Sequence, residues 1–347
     1  MQKSIDSDVF ISIVVPAFNE QECIFAFYER AFPVLCDISD RFEMIFVDDG
    51  SLDSTAERIR ELRSKDPRVK LIAFSRNFGK EIAMTAGLDF ANGEIVVIID
   101  VDLQDPPELI PRMVEKWKEG YDNVYATRVA REGESYIKKL TARAFYRVMR
   151  RLSRVDLPEN TGDFRLLSRR AVEALKLLRE QHRFMKGLFA WVGFRQAGIL
   201  YRRERRFAGR TKWNYWRLWN FAMEGITSFT YIPLQFSVYL GCIIALFSFG
   251  YSVFLVLRTL LFGRDLPGYA SIMVAILFLG AVQLIFLGVI GEYLGRMYNE
   301  TKQRPLYLVQ GLEGIEHPLN KPEPQPKPLF NQEGHEEHEA KKKDQPS

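Results

Sequence analysis

The chain has 347 residues, of which 47% are hydrophobic and 27% are charged, and its formal net charge is +4 at pH 7. This length leaves room for one large domain with further segments, and the charge is too small to indicate a nucleic-acid partner. Cys23, Cys36 and Cys242 lack the spacing of a metal site, so we expect free thiols in a reducing cytosol.

Short apolar runs alternate with helical stretches before residue 200, which is typical of an α/β fold with a mostly parallel sheet. Five strands are predicted, at 11–16, 42–47, 69–74, 94–99 and 123–127. The first four end in polar or charged residues, and open α/β sheets bind ligands beyond the carboxyl ends of their strands. No GxGxxG or GxxxxGK[ST] motif is present, so neither a dinucleotide fingerprint nor a P-loop is indicated.

The fourth predicted strand ends in the sequence DVDLQD at 100–105. Asp100 and Asp102 offer oxygen ligands that suit magnesium or manganese, which commonly take one or two carboxylates plus phosphate oxygens of a substrate. The alternative is a helix start, because Asp105 precedes two prolines and Glu108. That alternative explains Asp105 but not the two earlier aspartates, so we predict a divalent-cation site.

Two segments, 225–257 and 266–291, contain no charged residue and exceed the roughly 20 residues that span a bilayer. A pair of buried core helices is the alternative, but it would show shorter runs with interspersed charge. Basic residues cluster before the first span and follow the second, and the connecting loop holds only Arg258 and Arg264. The positive-inside rule therefore predicts a multi-pass protein of the inner (plasma) membrane with both termini in the cytoplasm.

The predicted organisation has five parts. A cytoplasmic catalytic domain occupies 1–200, and the N-terminus lacks the apolar segment of a secretory signal. A basic juxtamembrane loop and an interfacial amphipathic helix with Tyr215, Trp216 and Trp219 on one side occupy 201–230. Transmembrane helices follow at 231–257 and 266–294, and a cytoplasmic tail at 295–347 is expected to be disordered after about 316 because its composition is Pro, Glu, Lys and Gln.

Eight motifs carry a family resemblance: SIVVPAFNE at 12–20, VDDGSLD at 47–53, NFGK at 77–80, DVDLQDP at 100–106, TGDFRL at 161–166, FMKG at 184–187, AGRTKW at 208–213 and GEYLGR at 291–296. Together they resemble family 2 glycosyltransferases of GT-A fold, in the polyprenyl-phosphate branch. They are most similar to bactoprenol glucosyltransferases, over residues 10 to 310 or so.

The resemblance implies transfer of a sugar, with inversion, from a nucleotide sugar to the phosphate of a lipid carrier at the cytoplasmic face. It implies UDP-glucose as donor, undecaprenyl phosphate as acceptor, a Mg or Mn cofactor, and a product used to modify a cell-surface glycan such as O-antigen, lipopolysaccharide or cell wall. N-acetylglucosamine, galactose or an amino-arabinose derivative are the alternative sugars. The implied partners are the lipid bilayer, further copies of the chain in a homo-tetramer, and a flippase or second glycosyltransferase.

Site residues follow from the resemblance position by position. Nucleotide-sugar binding is implied for Pro16, Ala17, Asn19, Glu20, Asp48, Asp49, Ser51, Lys80 and Asp100. Metal binding is implied for Asp100, Asp102 and Gln104. Lipid-phosphate binding is implied for Arg128, Lys138, Arg205, Arg210 and Lys212, although dolichyl-phosphate relatives more often have arginine at the position of Lys138. For Lys80 a solvated surface lysine is the alternative.

The chemistry of transfer assigns catalytic roles to Asp102 and Asp163. Negative charge builds on the leaving diphosphate, and a cation held by Asp102 offsets it. The acceptor phosphate, with a second pKa of about 6, is largely dianionic at neutral pH and needs little deprotonation. Asp163 is expected to orient the acceptor or remove a residual proton, and a turn-capping role is its alternative.

Two other functions share parts of this pattern. A processive polysaccharide synthase has the same fold and metal motif, but its QxxRW motif is not supplied by the sequence QHRF at 181–184. A non-catalytic scaffold is the other alternative, and intact Asp100, Asp102 and Gln104 argue against a degenerate site.

Overall fold

The computed structural model of the chain describes residues 8–129, 161–204, 232–262 and 268–315. Eight strands form one sheet: β1 Ile11–Ala17, β2 Phe42–Asp48, β3 Val69–Phe74, β4 Ile95–Ile98, β5 Asn123–Arg128, β6 Thr161–Ser168, β7 Gln196–Tyr201 and β8 Val309–Glu313. The helices are α1 Ile24–Ile38, α2 Thr55–Lys65, α3 Lys80–Phe90, α4 Ile110–Lys118, α5 Arg169–Lys176, α6 Met185–Trp191, α7 Ile232–Phe262 and α8 Tyr269–Thr301. A 3-10 turn, Pro107–Leu109, precedes α4.

The strand order in the sheet is β7-β5-β6-β4-β1-β2-β3-β8. β1 to β4 are mutually parallel where they pair, as are β5 and β7, whereas β6 runs antiparallel to both of its neighbours and β8 runs antiparallel to β3. The sheet is therefore mixed, and the five predicted strands correspond to β1 to β5.

The centre of the sheet is buried on both faces. Every residue of β1, β2 and β4 is buried, which explains why these strands appear in the sequence as continuous apolar runs. α1 buries Ile24, Phe27, Ala31, Leu35 and Ile38, a spacing of three to four residues that presents one apolar face to the sheet. Tight packing of this kind fixes the positions of the strand ends, where the site lies.

α7 and α8 are long and apolar enough to cross a membrane, judged by length and composition. Their apolar windows, Leu234–Tyr251 and Val274–Thr301, have mean hydropathies of 1.6 and 2.5, and neither is buried against the protein. Both helices continue past the C-terminal ends of the predicted spans of 231–257 and 266–294, because the helical backbone includes charged residues such as Arg258 and Arg296. The predicted interfacial helix belongs to the segment 201–230, of which residues 205–230 lie outside the described ranges.

The chain returns to the sheet after α8, inside the segment predicted to be a cytoplasmic tail. β8 pairs with β3, and the Tyr307 ring stacks on Phe74 with centroids 5.2 Å apart. The Tyr307 hydroxyl donates a hydrogen bond of 2.8 Å to Asp89 in α3. The sheet therefore extends beyond the predicted boundary at residue 200 and includes residues on both sides of the two long helices.

Candidate active site

The carboxyl ends of β1, β2 and β4 meet at one edge of the sheet because the three strands are parallel neighbours. Ala17 pairs with Asp48, and Val14 with Ile98, so the loops after these strands lie side by side. β6 enters the same edge from the opposite direction. Its pairing of Arg165 with Ile98, continued by two residues, places Asp163 across from Asp100.

Hydrogen bonds join the loop after β1 to the loop after β2. Asn19 adopts a left-handed backbone conformation with φ of 52°. Its backbone N–H donates a hydrogen bond to Ser51 Oγ at 2.9 Å, and its side-chain Oδ1 accepts one from Leu52 N at 2.8 Å. The amide of Glu20 donates to Thr55 Oγ1 at 3.0 Å. These contacts hold the two loops side by side, so the residues predicted to line the nucleoside pocket, which lie between Pro16 and Ser51 in the chain, are neighbours in the structure.

Asp48 and Asp49 end β2 in different surroundings. Asp48 is buried and accepts a hydrogen bond from Ser51 N at 3.2 Å, and burial raises its pKa. Asp49 accepts hydrogen bonds from Phe78 N at 2.7 Å, Gly79 N at 2.9 Å and Asn77 Nδ2 at 3.0 Å. Burial raises the pKa of Asp49 to about 6 despite these donors. Both oxygens of Asp49 thus hold the loop before α3, and its predicted contact with the donor stays a prediction.

Gly50 makes the close approach of these two loops possible. Its φ is +66°, and a Cβ at this position would lie 2.4 Å from the backbone carbon of Arg76. A side chain there would therefore separate the loop after β2 from the loop that Asp49 holds.

Lys80, the first residue of α3, lies between two carboxylates of the crevice. Its Nζ is 2.6 Å from Asp100 Oδ1 and 2.6 Å from Asp163 Oδ2. Burial alone would lower the pKa of Lys80, but Asp100 and Asp163 outweigh it and raise the pKa above its usual value. Burial would likewise raise the pKa of Asp163, but Lys80 and then Lys186 hold it well below its usual range. Asp163 is therefore a carboxylate across the physiological pH range.

The loop of residues 100–105 carries the predicted metal ligands. Asp102 is 8% exposed, and its Oδ1 accepts a hydrogen bond from Gln104 N at 3.1 Å. Leu103, between them, has φ of 57°, a conformation that a bulky residue adopts only under constraint, and its buried side chain packs in the core. Anchoring of Leu103 therefore fixes the backbone on which Asp102 and Gln104 stand.

The donor set of this loop fits a hard divalent cation. Asp100 and Asp102 supply carboxylate oxygens and Gln104 an amide oxygen, which are the ligand types of magnesium and manganese. Within the described residues, no group of three or more His, Cys, Asp or Glu side chains is placed to hold a metal ion by itself. Such a site leaves coordination positions to substrate phosphate and water, which is the usual arrangement for magnesium.

Asp105 is fully buried behind this loop and contacts Tyr201, the last residue of β7. Its Oδ1 accepts a hydrogen bond from the Tyr201 hydroxyl, which in turn accepts one of 3.2 Å from Arg128 Nε. Burial and then the charge of Asp100 raise the pKa of Asp105. A Cβ at Gly162 would lie 2.7 Å from an Arg128 terminal nitrogen, so Arg128 extends across the backbone next to Asp163. This places the one described lipid-phosphate candidate beside the carboxylates.

Four predicted lipid-phosphate residues, Lys138, Arg205, Arg210 and Lys212, lie outside the described residues. Their roles stay predictions.

Three charged residues next to Asp163 were not singled out from the sequence. Burial and then Asp163 raise the pKa of Glu81 to about 7, and Glu81 accepts a hydrogen bond of 2.9 Å from Met185 N. Burial lowers the pKa of Arg165 to about 10, and its guanidinium lies 3.7 Å from the Phe189 ring centroid. Lys186 contributes positive charge to Glu81 and Asp163. Only the motifs TGDFRL and FMKG, which contain two of these residues, pointed to the region.

Two family models match the chain in sequence. The model described as glycosyl transferase family 2 matches residues 12–176, and the model described as the GtrB C-terminal hairpin matches residues 232–297, which include most of α7 and α8. A glycosyltransferase domain followed by a hairpin of two long apolar helices is the class of protein that these matches define. The predicted fold class and the predicted enzyme class are thereby confirmed.

Relatives that align with this chain over nearly their whole length identify the group within the family. A glycosyltransferase from Synechocystis sp. is 55% identical over 90% of this chain and 98% of its own length. The bactoprenol glucosyl transferase of Shigella phage SfX is 49% identical over 86% and 98%, and a prophage homologue from Escherichia coli is 48% identical over the same shares. This chain therefore belongs to glycosyltransferase family 2, in the group that contains the bactoprenol glucosyl transferases.

A solved structure shows a more distant likeness. Glucosyl-3-phosphoglycerate synthase from Mycobacterium tuberculosis, in complex with Mn2+, UDP-glucose and phosphoglyceric acid, is 23% identical, with a TM-score of 0.44 over 63% of this chain and 78% of that one. At this level of similarity no residue role passes from that enzyme to this chain.

Proposed function

We propose that the protein transfers glucose from UDP-glucose to undecaprenyl phosphate, with inversion at the anomeric carbon and with a divalent cation. The observation that carries the proposal is that Lys80 contacts both Asp100 and Asp163 at the carboxyl edge of the sheet, with Arg128 beside Gly162. The name of the phage relative, a bactoprenol glucosyl transferase, and the match to the GtrB hairpin support a lipid-linked acceptor.

The donor would occupy the crevice between the loops after β1, β2 and β4. Asn19 and Ser51 hold the nucleoside side of the crevice together, and buried Asp48 supplies an acceptor for a ribose or base. Open α/β sheets place nucleotides at this edge.

Asp100, Asp102 and Gln104 would hold the cation against the diphosphate. The cation supplies positive charge where negative charge develops on the leaving UDP. Lys80 at present contacts Asp100, and the same ammonium would turn to a phosphate oxygen once the carboxylate is otherwise engaged.

Asp163 would orient the acceptor for in-line attack. Its lowered pKa makes it a weak base, which suits an acceptor that is already anionic. One of its oxygens, Oδ1, is buried with no protein hydrogen-bond donor among the described residues. Arg128, beside Gly162, presents a guanidinium whose geometry matches phosphate oxygens.

The hairpin of α7 and α8 would lie across the inner membrane with the catalytic domain on the cytoplasmic side. The many basic residues before α7 and the few between α7 and α8 support this orientation. A lipid-linked sugar made on that side would need a flippase, and a second glycosyltransferase, before it modifies a surface glycan. A homo-tetramer is the oligomer we propose.

A donor panel tests the proposal. Membranes containing the protein are incubated with undecaprenyl phosphate and with UDP-glucose, UDP-galactose, UDP-N-acetylglucosamine or UDP-4-amino-arabinose. The lipid product is then separated and identified by mass spectrometry. We expect a glucosyl lipid at a rate at least tenfold above any other sugar. A different sugar in the product would correct the donor, and no glycolipid from any donor would overturn the proposal.

A further inference from the structure

A double ion pair outside the crevice connects three separate parts of the chain. Arg30 of α1 donates from Nε and one terminal nitrogen to Glu108, at 2.7 and 3.0 Å. Its two terminal nitrogens donate to Glu204, at 2.9 and 2.8 Å. Both edges of one planar guanidinium are therefore occupied by a carboxylate, each in the two-bond geometry that fixes direction as well as distance.

The two carboxylates belong to functionally different segments. Glu108 lies in the 3-10 turn that directly follows the 100–105 loop, and Glu204 lies three residues beyond the end of β7. The backbone amide of Glu204 also donates a hydrogen bond of 3.1 Å to the carbonyl of Gln104. The backbone of Glu204 is thus attached directly to the 100–105 loop, and its side chain is attached through Arg30 to the turn that follows this loop.

A second connection lies three residues earlier in the chain. Tyr201 donates its hydroxyl hydrogen to Asp105 Oδ1, and Arg203 Nε lies 3.8 Å from the same oxygen. Arg128 reaches the same group through the Tyr201 hydroxyl. Residues 201–204 are therefore held against the 100–105 loop at both ends, with the guanidinium of Arg203 between the two attachments.

The contribution of this arrangement to folding is small, because the side chains are accessible. Arg30 is 29% exposed and its partners are 51% and 47% exposed, and ion pairs of that kind add little to stability. Its geometric effect is larger, since a guanidinium with both edges engaged fixes the separation of the segments that it joins.

We infer that Arg30 is a positioning residue: it fixes residues 201–204, with Arg203 among them, against the loop of Asp100 and Asp102. The side of the site that faces an anionic acceptor is thereby held at a set distance from the side that holds the donor diphosphate. This inference rests on the proposed function and extends it to a residue that touches neither substrate. Loss of Arg30 should weaken use of the acceptor and leave donor binding unchanged.

The kinetic test uses Arg30→Gln, Glu204→Gln and the double variant. Arg60→Gln is the matched control, because Arg60 makes a 2.7 Å ion pair with Glu313 at the opposite edge of the sheet. We expect each single variant to raise the KM for undecaprenyl phosphate fivefold to tenfold and to change the KM for UDP-sugar less than twofold. We expect the double variant to have the same KM values as the single variants. Equal changes in both constants, additive effects, or the same phenotype in Arg60→Gln would overturn the inference.

A second measurement separates this inference from the proposed function. Hydrogen exchange of peptides covering residues 201–204, followed by mass spectrometry on the full chain in detergent, reports the Glu204 amide without any turnover. We expect at least tenfold faster exchange in Arg30→Gln than in the wild type, and unchanged protection would overturn the inference. Failure of the wild type to make a glycolipid would overturn the proposed function instead, and the exchange result would still decide whether Arg30 fixes this segment.

Discussion

The Lys80 ammonium lies 2.6 Å from Asp163, and the same nitrogen contacts Asp100 on the facing strand end. The Lys80 ammonium thus lies between the carboxylate proposed to bind the divalent ion and the carboxylate proposed to orient the acceptor. Lys80 is 42% exposed, so it is able to move when substrates enter. Its two contacts would make it both a competitor for Asp100, the proposed metal ligand, and a source of positive charge for the donor phosphates in the proposed reaction.

Lys80→Met should therefore have opposite effects on metal affinity and on turnover. Removing the ammonium leaves the charge of Asp100 uncompensated, so we expect tighter Mn2+ binding, by about tenfold, in a titration followed by electron paramagnetic resonance without nucleotide. Loss of one donor to the leaving group should reduce turnover by about 100-fold. Lys65→Met, which removes an exposed lysine of α2, is the control, and unchanged Mn2+ affinity in Lys80→Met would contradict the competition.

Gly162→Ala should impair use of the acceptor while leaving the fold intact. The new methyl group would lie 2.7 Å from an Arg128 terminal nitrogen, and the end of this long side chain is able to move aside. We expect the KM for lipid phosphate to rise about tenfold, with the KM for UDP-sugar and the Tm little changed. Gly311→Ala, where a Cβ meets nothing within 4 Å, is the matched control. A normal KM for lipid in Gly162→Ala would show that Arg128 does not bind the acceptor.

Glu81→Gln should stabilise the protein above pH 7. Burial raises the pKa of Glu81 from 4.5 to about 7, so between these values the folded state binds a proton that the unfolded state releases. The free energy of unfolding therefore falls as pH rises from about 4.5 to about 7, and the loss is complete above that range. A neutral glutamine avoids the loss and still accepts from Met185 N.

We expect Glu81→Gln to gain roughly 1–3 kcal/mol at pH 8, a rise in Tm on the order of 5 °C, and little at pH 5. Thermal unfolding in detergent at the two pH values measures this difference. Glu57→Gln, on the exposed side of α2, should show no pH-dependent gain. An equal gain for Glu81→Gln at both pH values would mean that ionisation of Glu81 is not responsible.

The return of the chain after α8 predicts different effects from two truncations. A chain that ends after Pro305 lacks β8 and Tyr307, so β3 becomes an unpaired edge and the Phe74 ring loses its stacking partner. We expect a lower Tm, by several degrees, and concentration-dependent aggregation. A chain that ends after Ile315 keeps β8 and should match the wild type in Tm. Equal stability of the two shortened chains would show that β8 adds nothing to the domain.

The sequence was sufficient for the strands whose information is local. β1, β2 and β4 are buried on both faces, and their apolar runs and polar ends located both the elements and the crevice. β6, β7 and β8 were not predicted as strands. β6 contains charged residues in its interior, and β7 and β8 each pair with a strand far away in the chain. Pairing at that distance leaves no periodic pattern in the sequence.

The site was predictable to the same limited extent. Asp100 and Asp102 were located because they interrupt an apolar run, whereas the position of Lys80 depends on a partner 20 residues away and on another 83 residues away. For Asp49 the pattern of two acids after a strand did not indicate which one points outward, and the structure directs its oxygens to residues 77–79. The two ion pairs of Arg30 join residues that are 78 and 174 positions apart in the chain, so no sequence motif indicates them.

Asp102 is proposed to hold the divalent cation that transfer requires, and one assay decides this role. Wild type, Asp102→Asn and the control Asp40→Asn, an exposed residue before β2, are given radiolabelled UDP-glucose and undecaprenyl phosphate with Mn2+ or with EDTA. We predict that EDTA abolishes wild-type transfer, that Asp40→Asn behaves like the wild type, and that Asp102→Asn is at least roughly 100-fold slower at any Mn2+ concentration. Transfer by Asp102→Asn at the wild-type rate, or wild-type transfer that persists in EDTA, would show that Asp102 and a divalent cation are not required.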